Sequence, residues 1–130
     1  MTYPVREITP TTTAAIADGG ANEVAILILS NVNTAGPDAK VVLHGIASVT
    51  AGTAATAVTV RVREWDTGTN LVVGTSVVDT VVAGSSYTVP IDVVLSNVDL
   101  AGSNFALTVQ ETSATAAGTV NYAFLGGYTA

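Results

Sequence analysis

Ala57-Val58-Thr59-Val60-Arg61-Val62-Arg63 reads as a β-strand with one buried face. Valine recurs at every second position, with threonine and arginine between. Successive side chains of a strand point to opposite sides, so Val58, Val60 and Val62 share an apolar face. Thr59, Arg61 and Arg63 share a wet or salt-bridged one. Asn104-Phe105-Ala106-Leu107-Thr108-Val109-Gln110 repeats the pattern, with Phe105, Leu107 and Val109 on the apolar side. Half-buried strands of this kind belong to antiparallel sheets that cover a core with one face.

Outward from these two segments, strands are expected at about 23–30, 40–50, 56–65, 70–80, 85–95, 104–113 and 118–128. Turn chemistry separates them: Asn33 to Asp38, Ala51-Gly52-Thr53, Asp66-Thr67-Gly68-Thr69, Ala83-Gly84-Ser85 and Ala101-Gly102-Ser103. Strands at intervals of about a dozen residues signal a sandwich or barrel. Composition agrees, because valine, threonine and alanine dominate while lysine occurs once and methionine once. β-Branched side chains fit a pleated surface and lose rotamer freedom in a helix. With a short strand near residues 5–9 the count reaches eight, so the expected fold is all-β, an antiparallel β-sandwich of the jelly-roll type.

Residues 1–22 differ from the rest, with Pro4, Pro10, three consecutive threonines and the Asp18-Gly19-Gly20 breaker. They read as an extended N-terminal arm ahead of a sandwich domain at 23–130. Tyr3, Val5, Ile8 and Ile16 give the arm apolar anchors for docking on a neighbouring subunit or shell.

Three segments are apolar on both faces: Val24 to Leu29, the run from Lys40 to Thr50, and the C-terminal stretch through Val120, Tyr122, Phe124, Leu125 and Tyr128. A strand apolar on both sides in an antiparallel sandwich has a second partner beyond its own core. Ile26, Ile28, Val42, His44, Ile46, Tyr122 and Phe124 are therefore the expected oligomer interface.

Charge narrows the partners further. Charged residues make up 11% of the chain, against roughly 25% in an ordinary soluble domain. The six-residue run Val24 to Leu29 is far short of the roughly 20 residues of a membrane-spanning helix. No basic segment followed by an apolar stretch opens the chain, so no secretory signal is expected. The apolar surface is thus left to protein–protein contact. The net charge is −6, and Arg6, Lys40, Arg61 and Arg63 are the only basic residues apart from His44. A phosphate backbone needs a basic stripe that this chain lacks, so neither nucleic acid nor a membrane is an expected partner.

Catalytic chemistry has little to use. Asp66-Thr67-Gly68 matches the tripeptide of aspartic proteases, which need two such carboxylates sharing a proton. Here Arg63-Glu64-Trp65 precedes it where that family has an apolar strand end, and aspartate followed by glycine is ordinary turn chemistry. His44 is the only histidine and there is no cysteine. Asp38, Asp66, Asp92 and Asp99 are too scattered for a calcium loop. Trp65, the sole tryptophan, reads as a packing or interface residue. No enzyme activity, metal or cofactor is expected.

The segments 54–63, 104–112 and 118–125, in particular Ala57 to Arg63, Phe105-Ala106-Leu107-Thr108-Val109 and Tyr122-Ala123-Phe124-Leu125, resemble small tailed-bacteriophage structural proteins. Those have a tumour-necrosis-factor-like jelly roll, and some decorate capsids as trimers. The resemblance spans roughly residues 23 to 128. It implies a homotrimeric decoration or cement protein on the capsid surface of a virion, bound to a major capsid protein that is a different chain. The family has no catalytic residues to carry over. A trimeric receptor- or glycan-binding head of a fibre, or a tail or head-completion subunit, is the alternative.

Overall fold

Each of the seven strands expected beyond residue 22 forms, with ends within three residues of those read from the sequence. The structure, a computed structural model, describes residues 3–8, 14–15, 23–53, 56–65, 70–111 and 118–129, the first two segments by their backbone. The elements are β1 (Tyr3–Ile8), β2 (Ala14–Ala15), β3 (Val24–Val32), β4 (Ala39–Thr50), β5 (Thr56–Glu64), β6 (Leu71–Val81), β7 (Ser86–Val98), β8 (Ser103–Glu111) and β9 (Thr119–Thr129). Among the described residues every regular element is a strand.

One sheet has the order β1-β9-β4-β7, with β2 also on β9, and the other has β3-β8-β5-β6. All pairings are antiparallel. Only β1 and β2, both on β9, and β5 and β6 follow one another within a sheet; otherwise successive strands alternate between the two sheets. β1 and β2 lie along β9 in two places, Ile8 opposite Leu125 and Ala14 opposite Val120. Counted as one strand they complete an eight-stranded jelly roll, so the fold is the expected antiparallel sandwich. The backbone of the segment read as an arm therefore forms one edge of the first sheet. Without it, β9 would present a row of unpaired amides and carbonyls.

The core lies between the two inner faces. Val58, Val60 and Val62 of β5 and Phe105, Leu107 and Val109 of β8 are buried against Leu43, Val49, Ile91 and Leu125 of the first sheet. Strand β8 departs from the half-buried reading, because Ala106 and Thr108 on its outer side are fully buried too. At the opposite edge of the first sheet, Pro90 falls within β7. An edge strand tolerates the missing amide that would break a central ladder.

Candidate functional site

The outer face of the first sheet gathers five of the seven expected interface residues. Strand β4 is central, so its outward residues have a neighbour on each side. Val42 lies opposite Tyr128 of β9 and Val94 of β7, and Ile46 lies opposite Phe124 and Pro90. Between these apolar rows runs a polar one, Gly126–His44–Asp92, and the next row is Tyr122–Ser48–Thr88. Val94 is 62% exposed, Tyr122 43% and Tyr128 39%, while Val42, Ile46 and Phe124 are half-buried. Val42, His44, Ile46, Tyr122 and Phe124 thus form one surface.

Ile26 and Ile28 do not join them. Both lie on β3, an edge of the second sheet, where Leu27 and Leu29 turn inward. A bulge between Ala25 and Leu27 accompanies the packing of Ile26 against the core, and Ile28 is left 42% exposed. Of the expected arm contacts, Tyr3, Val5 and Ile8 lie on β1, opposite Thr129, Gly127 and Leu125. Ile16 falls outside the described residues, as does the Asp66-Thr67-Gly68 tripeptide.

His44 and Asp92 form an exposed pair, Nδ1 to Oδ1 at 2.6 Å. No local sequence pattern relates Asp92 to His44, because 48 residues separate them. The signal was available in the alternation of β7, whose outward series is Thr88, Pro90, Asp92 and Val94. Two groups alone make neither a triad nor a metal site. Among the described residues no cluster of three histidine, aspartate or glutamate side chains is present.

The second sheet's outer face carries a different device. Arg61 Nη1 donates to Glu23 Oε1 at 2.6 Å and to Gln110 Oε1 at 2.6 Å. Arg63 donates through Nε to Glu23 Oε2 and through Nη2 to Oε1 at 2.9 Å, and its Nη1 donates to the Asn70 carbonyl at 2.7 Å. Burial pushes the Glu23 carboxyl up, but the Arg63 hydrogen bonds and the charges of both arginines outweigh it, holding the carboxyl below its ordinary value. The same contact raises Arg63. Glu23 precedes β3 and the arginines are on β5, so the bridge spans β8 and roofs Ala106 and Thr108, which lie opposite Arg63 and Arg61. This accounts for the burial of both sides of β8. Three further exposed apolar residues, Leu71, Val72 and Val77, lie on β6.

No protein-family model matches the sequence, and no curated protein matches it. Solved structures of similar fold include three from infectious bursal disease virus. The T13 viral particle aligns with a TM-score of 0.60 at 9% identity, over 98% of this chain and 30% of that one. The VP2 subviral particle aligns at 0.58 and 12% identity, over 95% and 32%. The Gx strain structure aligns at 0.51 and 11% identity, over 95% and 37%. The chain spans about a third of the length of these proteins. Identity this low speaks to architecture alone, and the architecture is the one the strand order defines: an antiparallel jelly-roll sandwich.

Proposed function

We propose that this chain is a structural virion protein, a homotrimeric decoration protein on the outside of a phage-like capsid, stabilising contacts between subunits of a separate major capsid protein. The observation that carries the reading is the outer face of the first sheet, where Val42, Ile46, Val94, Tyr122, Phe124 and Tyr128 present apolar rows on either side of His44 and Asp92, on a chain of low charge. Such a surface gains free energy, at about 25 cal/mol per Å² of apolar area, when another protein covers it. The jelly-roll likeness to viral particle proteins supports the virion assignment. Function then lies in contact rather than in chemistry, with no enzymatic step, cofactor, nucleic acid or membrane involved.

A receptor- or glycan-binding head would carry aromatic side chains on loops at one end of the roll. Among the described residues the exposed aromatics Tyr122 and Tyr128 lie on the sheet face, in the same rows as Val42, Val94 and Ser48. Light scattering of the native protein tests the proposal, and three times the 13.0 kDa chain mass is expected. A monomer at micromolar concentration overturns the homotrimer.

A further inference from the structure

Glu111 continues the inward series of Phe105, Leu107 and Val109 at one end of the sandwich, where it is 1% exposed. Its Oε2 accepts from the Gly118 amide at 3.3 Å, just ahead of β9. Its Oε1 fills the space that a β-carbon on Gly118 would need, and the Thr50 carbonyl oxygen, at the end of β4, borders the same space at 2.9 Å. Two acceptor oxygens that adjoin in a buried site repel, and a proton on the carboxyl turns the approach into a hydrogen bond.

The cations of the chain stand elsewhere. Its basic side chains are Arg6, Lys40, His44, Arg61 and Arg63. Arg61 and Arg63 are bound to Glu23 on the outer side of β5, and His44 faces Asp92 on the outer side of β4. Lys40 and Thr50 lie near opposite ends of β4, roughly 30 Å apart at about 3.3 Å per residue. Arg6 follows Val5, which lies opposite Gly127, again roughly 30 Å along β9 from Gly118. The amino terminus precedes Tyr3, opposite Thr129 at the far end of the same strand. Other titratable groups on the elements around Glu111 are Asp79 of β6, exposed and of like charge, Tyr87 of β7, opposite Val49, and Tyr122 on the outer side of β9. None of these is a cation.

We infer that Glu111 is a neutral carboxylic acid in the folded protein at neutral pH, its proton on Oε1 directed at the Thr50 carbonyl, and that the end of the sandwich where β4, β8 and β9 meet is a latch that alkali weakens. An ionised carboxylate buried without a cation is far more costly than the neutral acid. The neutral group ties one sheet to the other, accepting from Gly118 and donating to Thr50. In the unfolded chain Glu111 ionises at the ordinary carboxyl value, so above that value the unfolded state holds fewer protons than the folded one. The latch contributes fully below the ordinary value and is lost as pH rises through the raised one. Glu23 acts in the opposite sense, which places the greatest stability near the ordinary glutamate value of 4.5.

Carbon-13 NMR of protein labelled in its glutamate carboxyls tests this on the unaltered chain. The sequence has four glutamates, and one carboxyl signal should keep its protonated position through pH 7 and be missing from Glu111→Gln. Four signals that all move in the ordinary carboxyl range overturn the inference, whether or not the variant folds. Glutamine keeps the shape and the donor of the neutral acid. Glu111→Gln should therefore match the parent in urea titrations near pH 4.5 and exceed it at pH 8. The parent's folding constant should fall by up to about tenfold per pH unit above the ordinary value, with no such fall in the variant. The same pH dependence in both proteins also overturns the latch.

Discussion

Glu23 and Arg61 are 38 residues apart in sequence and meet at 2.6 Å over the outer surface of β8. With Arg63 they form a bridge between the start of β3 and the middle of β5, and the strand beneath is shielded from water on both sides. Less than a quarter of each of the three side chains is exposed, so screening by solvent is incomplete.

Replacing Glu23 with glutamine should therefore destabilise the fold. The variant keeps the shape but leaves two half-buried guanidinium groups without their carboxylate. Hydrogen bonds to charged groups contribute about 1–3 kcal/mol, and a loss within that range is expected. Urea titration monitored by Trp65 fluorescence measures it.

Acid should remove the same contribution. The Glu23 carboxyl is held below its ordinary value of 4.5, so the folded state binds its proton less readily than the unfolded chain does. The stabilisation is complete above the ordinary value and fades as pH falls through the depressed one. Between pH 5 and pH 2 the parent should lose more stability than Glu23→Gln, and the two curves should converge. Parallel curves would show that the bridge does not titrate as described.

Thr80 adopts φ of +58°, beside a bulge in the β5–β6 pairing. A β-branched residue is strained in this region, at a cost of about 1–2 kcal/mol, part of which glycine returns as extra chain entropy in the unfolded state. Thr80→Gly should raise stability by about 0.5–1 kcal/mol on those principles. Asn97, at φ of +56°, tolerates the region better, and Asn97→Gly should change the melting temperature less.

Gly127 sits at φ of +153° opposite Leu43 in β4. A β-carbon there would lie 1.9 Å from the Val42 carbonyl oxygen, which is backbone in the central strand and has no room to yield. Gly127→Ala should cost about 2–4 kcal/mol, at the upper end for single substitutions, and should also loosen the neighbouring Val42–Tyr128 row. Amide exchange along β4 and β9 would register the change as faster exchange in both strands.

The strands from β3 to β9 and most of the core were legible along the chain. Alternation is a local property: the valines at 58, 60 and 62 must share a side wherever the strand is placed. The apolar outward positions of β4 and β9 were legible for the same reason, as were the glycine turns at Gly84 and Gly102, both at positive φ. What joins one strand to another was not. Asp92 meets His44, and Glu23 meets Arg61 and Arg63, because of antiparallel register across 38 to 48 residues of intervening chain. That register is set by the packing of a whole sheet. The same non-local packing buries Thr108 on a side its polarity marks as wet, separates Ile26 and Ile28 from the other outward apolar residues, and lays residues 3–8 along β9. Periodicity along the chain determined which side of each strand is apolar; tertiary pairing decided which of those sides became one surface, because strand order joins residues that no local pattern relates.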